Sequence, residues 1–105
     1  MATGRLGAVN VSSGVNTTAY TVPASTYSVV TVSFCNRSNS AAALRLAVSA
    51  ADTPTDAEWV EFDTEILAKG VLERTGLVLD AGKRIVAYSS GDATSVVVMG
   101  IETSA

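Results

Sequence analysis

A residue alternation with a period of two runs through most of this chain and disfavours folds built from helices. It is clearest in residues 27–36, because successive side chains of an extended strand point to opposite faces. One face would hold Ser28, Val30, Val32 and Phe34, and the other Val29, Thr31, Ser33 and Cys35. Both faces are partly apolar. We therefore expect a central strand that is covered on both sides, with Cys35 buried in the core.

Shorter runs of the same kind follow one another along the chain, separated by turn residues. They cover residues 5–11, 17–22, 43–48, 58–63, 65–70, 71–79, 84–90 and 94–102. Residues 80–83 (Asp-Ala-Gly-Lys) have the composition of a hairpin turn, and residues 90–92 (Ser-Gly-Asp) form the next turn. Gly100 predicts a bulge or a close packing contact in the last strand. Residues 55–59 are the best place for a helical turn, since the preceding Thr-Pro-Thr-Asp resembles a helix N-terminus.

About eight or nine short strands at spacings near 8 to 12 residues are typical of all-β domains. The chain length of 105 residues suits one hydrophobic core. We therefore predict a single domain, residues 1–105, that folds as an antiparallel β-sandwich or a small jelly-roll-like barrel of about eight or nine short strands.

The composition excludes several classes of enzyme. The chain contains no His, so it lacks the usual general base near neutral pH and the commonest metal ligand. Its single Cys cannot form an internal disulfide, and no Gly-rich phosphate loop, nucleophile elbow or paired-Cys motif is present. We predict a protein that is not an enzyme and that needs no cofactor or metal.

Charge and hydropathy also limit the partners. A net charge of -3 argues against a phosphate-binding surface, so nucleic acid is not an expected ligand. No apolar run approaches the roughly 20 residues of a membrane helix, and the first residues do not have the pattern of a signal peptide. Together with the lone Cys, this predicts folding in a reducing cytoplasm.

The negative charge is concentrated in one segment. Six of the ten acidic residues lie between positions 52 and 65, which hold no Lys or Arg: Asp52, Asp56, Glu58, Glu61, Asp63 and Glu65. Outside this acidic segment, four acids face seven bases. The acidic segment of one copy can therefore contact basic residues of a neighbouring copy, with Arg37, Arg45, Arg74, Lys83 and Arg84 as candidates. The alternatives are a solvated edge that resists aggregation and a Ca²⁺ site built from carboxylate oxygens.

Four aromatic side chains suggest a different kind of surface. Tyr20, Tyr27, Trp59 and Tyr88 could form a platform on which sugar rings stack, although scattered aromatic residues are also typical of cores and rims. Around Trp59, the alternation places Phe62 on the opposite side of the strand.

Three segments carry a resemblance to a known group of proteins: NTTAYTVPA at residues 16–24, FCNRSNSAAALRLAVS at residues 34–49 and GVLERTGLVLDAGKRIVAYSS at residues 70–90. In this order they resemble small virion structural proteins of tailed bacteriophages, including those of cyanobacterial hosts. The resemblance covers most of the chain. It implies a β-sandwich without enzymatic activity, built in many copies into the particle, and it carries over no functional residue.

Two functions from different classes follow. The first is a virion structural protein, assembled in the host cytoplasm, that docks on the tail, baseplate or fibre region or decorates the capsid, with other virion proteins and copies of itself as partners. A low charged fraction of 16% beside 48% hydrophobic residues favours such assembly, because apolar surface is left over for contacts. The alternative is a module that binds carbohydrate or the host surface.

Overall fold

The computed structural model describes residues 2–105. Its eight strands are β1 (Thr3–Val11), β2 (Thr17–Thr21), β3 (Thr26–Asn36), β4 (Ala42–Ser49), β5 (Trp59–Ile66), β6 (Val71–Leu79), β7 (Arg84–Ser89) and β8 (Thr94–Ser104). A 3-10 turn, Asp56–Glu58, precedes β5 at the place where the Thr-Pro-Thr-Asp segment predicted the start of a helical turn. The all-β prediction is confirmed.

The strands form two four-stranded antiparallel sheets that enclose the core. Sheet A has the order β1-β8-β3-β6, and sheet B has the order β2-β7-β4-β5. The pairings are nested, because the first strand pairs with the last, the second with the seventh, the third with the sixth and the fourth with the fifth. One long hairpin folded over itself gives this order, which is the order of a jelly roll. Sandwich and jelly roll therefore describe the same molecule.

The core lies between the two sheets and consists of side chains that alternate along each strand. Phe34 of β3 and Val98 of β8 point inward from sheet A, and Leu44, Leu46 and Ile85 point inward from sheet B, all without solvent exposure. Full burial of one such side chain stabilises the fold by about 1.5–3 kcal/mol relative to its exposure. Burial of this one face per sheet holds the two layers together.

The prediction of a strand covered on both sides is wrong for β3. Its inward residues are buried, whereas the opposite side carries the exposed Val29 and the half-buried Thr31, Ser33 and Cys35. Sheet A forms an outer layer of the sandwich, so no third layer covers that side. Cys35 consequently lies on the outer surface and is not a core residue.

The hairpin interpretation of residues 80–83 is also wrong. Residues 80–83 connect β6 to β7, and residues 90–92 connect β7 to β8, so each turn passes from one sheet to the other. Among the described strands, only β4 and β5 are both consecutive and paired. Hairpin turns and sheet-crossing turns use the same residues, because both need a tight reversal of the chain.

All four edge strands carry a β-bulge. The pairings of β1, β2, β5 and β6 with their inner neighbours contain register shifts, whereas the pairings β3–β8 and β4–β7 contain none. A bulge bends an edge strand and interrupts its row of free backbone groups. Edge-to-edge addition of another strand is therefore hindered on both sides of the sandwich, and the flat faces are better suited to contacts.

Candidate functional site

The acidic segment, residues 52–65, forms ion pairs within its own chain. Its three pairs are Asp52 with Arg84 at 3.3 Å, Glu61 with Arg74 at 2.9 Å and Asp63 with Arg45 at 2.6 Å. The other two predicted contact bases also have internal partners, since Lys83 binds Asp80 at 3.1 Å and Arg37 binds the side chain of Asn10 at 2.9 Å. Among residues 2–105, Asp56 and Glu65 are the acids of this segment that have neither an ion pair nor a side-chain hydrogen bond. The contact patch between copies remains a prediction, and these two carboxylates are the ones left free for it.

The beginning of the acidic segment lies across the outer side of sheet B. Asp52 accepts a hydrogen bond from the hydroxyl of Thr18 at 2.7 Å and pairs with Arg84, which also donates to the carbonyl of Ala50. Thr18 and Arg84 belong to two neighbouring strands. The outward-pointing Val86 beside Thr18 is completely buried, which we attribute to this covering loop.

Glu61 joins the two sheets at one edge of the sandwich. It lies on β5 of sheet B and binds Arg74 on β6 of sheet A, while Thr64 donates a hydrogen bond to it at 2.8 Å. The Glu61 side chain is only 19% exposed. This carboxylate therefore links the two edge strands and is not free for a partner.

Glu58 holds the loop before β5. Its carboxylate accepts hydrogen bonds from the backbone N–H groups of Thr55 at 2.8 Å and Ala50 at 3.0 Å, and from the Ser49 hydroxyl at 3.2 Å. The bond from Thr55 and then the bond from Ala50 lower the pKa of Glu58. This residue has a structural role in the acidic segment.

Acid is expected to destabilise the fold through four such carboxyl groups. Hydrogen bonds lower the pKa of Glu58, Asp63, Asp80 and Glu102 from ordinary values of 4.5 for Glu and 3.8 for Asp. A carboxyl with a lowered pKa in the folded state stabilises the fold fully above its ordinary pKa and loses this contribution as the pH falls through the lower value. Thermal melting at about pH 7, 5 and 3 should show a midpoint that is steady down to about pH 5 and then falls.

The variant Glu58→Gln tests one of these groups. It removes one titrating carboxylate but keeps the shape of the side chain, so it should melt earlier than the parent protein at neutral pH and lose less on acidification. Equal acid sensitivity in both proteins would contradict the role given to Glu58.

An arginine–aromatic cluster lies on the outer side of sheet B, beyond the covering loop. The guanidinium carbon of Arg45 is 4.1 Å from the ring centre of Phe62, 4.4 Å from that of Tyr88 and 5.9 Å from that of Trp59. Asp63 accepts two hydrogen bonds from Arg45, which raise the pKa of the guanidinium and lower the pKa of the carboxyl. The cation–π contacts and the bidentate pair hold the three rings in place around one cation.

Trp59 and Phe62 lie on the same side of β5, so their predicted separation is wrong. Their ring centres are 5.5 Å apart with an edge-to-face geometry. Ala47 pairs with Trp59 and Leu46 with Glu61, which leaves Val60 as an extra residue and reverses the alternation. Phe62 was the cluster residue that sequence reasoning missed, because a bulge changes the face without a distinctive residue. Beside the two rings, Asp56 helps to line an open depression of about 380 Å³.

The structure places the four predicted aromatic residues in three different parts of the molecule. Trp59 and Tyr88 meet in the cluster, whereas Tyr27 lies on the outer side of sheet A and Tyr20 lies in the core. The Tyr20 hydroxyl donates to Glu102 at 2.5 Å and is 2.7 Å from the hydroxyl of Ser28. Burial, followed by the contact with Glu102, raises the pKa of Tyr20 to about 12. Tyr20 is therefore a structural residue.

The calcium alternative lacks a site in the described part of the chain. In residues 2–105 no group of three or more His, Cys, Asp or Glu side chains is arranged to hold a metal ion. The acids of residues 52–65 point in different directions, since Asp52 contacts β2 and β7, Glu61 contacts β6 and Asp63 contacts Arg45. Carboxylates that diverge in this way cannot surround one cation.

The outer side of sheet A, here called the A face, carries most of the exposed large hydrophobic side chains. Nine large hydrophobic side chains are exposed in the described chain, and six of them lie on this face: Tyr27, Val29, Val71, Val78, Met99 and Ile101. Val78, Val29 and Ile101 form a row across three neighbouring strands. An apolar row on a flat, open sheet is typical of a surface that contacts another protein.

No protein-family model matches this chain, and no curated protein matches it either. The described residues contain no helix long and apolar enough to cross a bilayer.

Proposed function

We propose that this chain is a structural protein of a tailed-bacteriophage virion, without enzymatic activity and present in many copies. It docks on the particle through protein–protein contacts, in the tail, baseplate or fibre region or as a decoration of the capsid. It is assembled in the host cytoplasm with other virion proteins and copies of itself as partners. The resemblance of residues 16–24, 34–49 and 70–90 to such proteins is the starting point of this proposal.

The A face is the observation that carries the proposal. Its Val78 side chain is 68% exposed and its Ile101 side chain 48%, whereas the core side chains of the same domain are buried. A contiguous exposed apolar surface marks an interaction site, and a component of an assembly buries it against its neighbours. Jelly rolls also occur in viral capsid proteins, which is an analogy at the level of the fold.

Mass spectrometry of purified particles tests this function. Virions of the phage that encodes the chain should contain it in many copies relative to a protein present once per particle, and a density map should hold its eight-stranded module. A cytoplasmic host enzyme measured in the same sample serves as the control for contamination. Absence of the chain from particles that have lost this host enzyme would refute the proposal.

Carbohydrate binding is the second candidate function, and the arginine–aromatic cluster favours it. Trp59 and Phe62 offer adjacent ring surfaces, and the carboxylate of Asp56 beside them can accept hydrogen bonds from sugar hydroxyls. Jelly rolls are also found among lectins, again as an analogy of fold.

Glycan arrays test the second function. If the cluster binds sugars, Trp59→Ala, Phe62→Ala and Tyr88→Ala should each remove the signal, because each deletes part of the platform. Tyr27→Ala is the matched control, since Tyr27 is an exposed aromatic residue on the opposite face of the sandwich. A signal that survives all three cluster variants would exclude these residues as the binding site.

A further inference from the structure

We propose that the A face binds the A face of a second copy of this chain, around a two-fold axis that runs along the strands between β8 and β3. This inference rests on the proposed structural function and names the partner of that surface. It follows from the strand register, the distribution of apolar and charged residues, and the size of the face.

The register shows which side chains would meet. An axis midway between β8 and β3 places the β8 strand of one copy over the β3 strand of the other. Since Ile101 pairs with Val29 and Met99 with Thr31 in one copy, the same pairs face each other across the axis. The contact therefore places Ile101 against Val29, and Met99 against Thr31, on both sides of the axis.

The two edge strands of sheet A, β1 and β6, also face each other across the axis. The same axis places β1 of one copy over β6 of the other, so Thr3 comes opposite Val78. Two sheets packed in this way lie about 10 Å apart with their strands within about 30° of each other. The result is a four-layer assembly with sheet B on both outer sides.

Charge supports a second copy as the occupant. Among the described strand residues that point outward from sheet A, the charged ones are Arg5 on β1 and Glu73 on β6, at opposite edges of the apolar row. Within residues 2–105, neither side chain has an ion pair or a side-chain hydrogen bond, and Arg5 is the one base without such a contact. All six other bases are already engaged within the chain: Arg37, Arg45, Lys69, Arg74, Lys83 and Arg84.

The two-fold axis brings these opposite charges together twice. Arg5 lies level with Thr31, and Glu73 lies level with Ser33, through the register of sheet A. Two residues along a strand span about 7 Å, which an Arg side chain can bridge. Arg5 of each copy can thus pair with Glu73 of the other, and the two ion pairs border the apolar centre.

The area of the face is sufficient for a specific contact. Four strands about 4.8 Å apart and about eight residues long cover roughly 19 by 27 Å, or roughly 500 Å² in projection on each copy. Both copies together then bury at least about 1,000 Å², the size at which specific interfaces begin. The bulged edge strands hinder the alternative of pairing edge to edge. Of the two sheet faces, the A face carries more of the exposed large hydrophobic side chains.

Analytical ultracentrifugation of the full chain tests the inference. We expect a dimer at micromolar concentration that is lost in Val29→Glu, because this change buries two carboxylates at the centre of the contact. Val15→Glu is the matched control, since Val15 is exposed but lies outside both sheets. Thermal melting of every variant establishes that it is folded.

Charge reversal adds a test whose expected result cannot be explained by loss of folding. Arg5→Glu alone and Glu73→Arg alone should each weaken the dimer about tenfold, because two like-charge contacts replace two ion pairs. The double variant Arg5→Glu/Glu73→Arg should restore it. A monomer at every concentration, or a double variant as weak as the single ones, would overturn the inference.

Two further results separate this inference from its premise. If Asp56→Lys/Glu65→Lys dissociates the dimer and Val29→Glu does not, the acidic segment is the interface and the A face is not. If virions contain the chain but their density map shows the A face against a different protein, the structural function stands and pairing of A faces is overturned. A dimer with the expected variant pattern that is absent from virions would support the pairing and refute the virion function.

Discussion

Replacement of Asn36 by Asp is expected to lower the free energy of unfolding by about 3–5 kcal/mol, as for a buried charge without a partner. Asn36 is completely buried at the end of β3. Its amide nitrogen lies 2.9 Å from the carbonyl oxygen of Ser40 and 3.2 Å from those of Ile66 and Leu67. Aspartate would place a charged oxygen against three carbonyl oxygens and would have no proton to donate.

The other side of the Asn36 amide explains why the change should affect two loops. Its oxygen accepts hydrogen bonds from the Ser38 hydroxyl at 2.8 Å and the Ser38 N–H at 3.2 Å. One side chain therefore connects the loop between β3 and β4 with the turn between β5 and β6. Loss of the donor disrupts a fully paired polar network, which costs more than the loss of a single exposed bond.

Urea unfolding of Asn36→Asp at several pH values provides the measurement. Burial raises the pKa of the new carboxyl in the folded state, so the stability difference from the parent protein should be largest above that pKa. The stability difference should narrow as the pH falls through that value towards the ordinary pKa of Asp. Asn39→Asp is the matched control, because Asn39 is exposed in the same loop and acquires the same charge. A loss of stability no larger than that of Asn39→Asp would contradict the role of Asn36.

Gly100→Ala should cost about 2–3 kcal/mol of unfolding free energy, because a new methyl group would overlap the backbone of the neighbouring strand. A Cβ atom at position 100 would lie 2.0 Å from the carbonyl oxygen of Val29 and 2.9 Å from the Cα atom of Val30. Backbone atoms in the middle of a paired sheet cannot move aside like a flexible side chain. The predicted close contact at Gly100 is confirmed.

A second glycine separates overlap from backbone conformation. Gly76 has φ 71°, and nothing lies within 4 Å of a Cβ atom built there. Gly76→Ala should therefore cost only the about 1–2 kcal/mol of a left-handed conformation. Chemical denaturation of both variants gives the comparison. If Gly100→Ala were as stable as the parent protein, the tight approach of β8 to β3 would be excluded.

The strands could be predicted because their signal is local. Alternation and turn residues located every strand to within a few residues. The Thr-Pro-Thr-Asp segment located the 3-10 turn. Residues 58–63 and 65–70 suggested two strands, but β5 continues through Asp63, which adopts φ 53°. The sequence around Asp63 suggested the end of one strand and the start of another. In the structure the sheet accommodates this left-handed residue as a bulge, so the strand continues.

The candidate surfaces were less predictable, since they depend on contacts between distant residues. The concentration of acids in residues 52–65 is visible in the sequence, but their pairing with Arg45, Arg74 and Arg84 is not. These ion pairs neutralise three acids of the segment within one chain, so the segment differs less in charge from the rest of the molecule than the sequence indicates. Arg5 and Glu73, which border the A face, became candidates only when the sheet register was known.

Alternating side chains and turn-forming residues are sufficient to determine that this chain folds into strands, because each strand and turn depends on its own few residues. They do not determine which strands become neighbours. Consecutive strands, with the exception of β4 and β5, lie in different sheets. The order is therefore selected by burial of one apolar side of every strand against the opposite layer. Tertiary packing therefore decided the nested jelly-roll order, the outward position of the A face and the meeting of Arg45 with three aromatic rings.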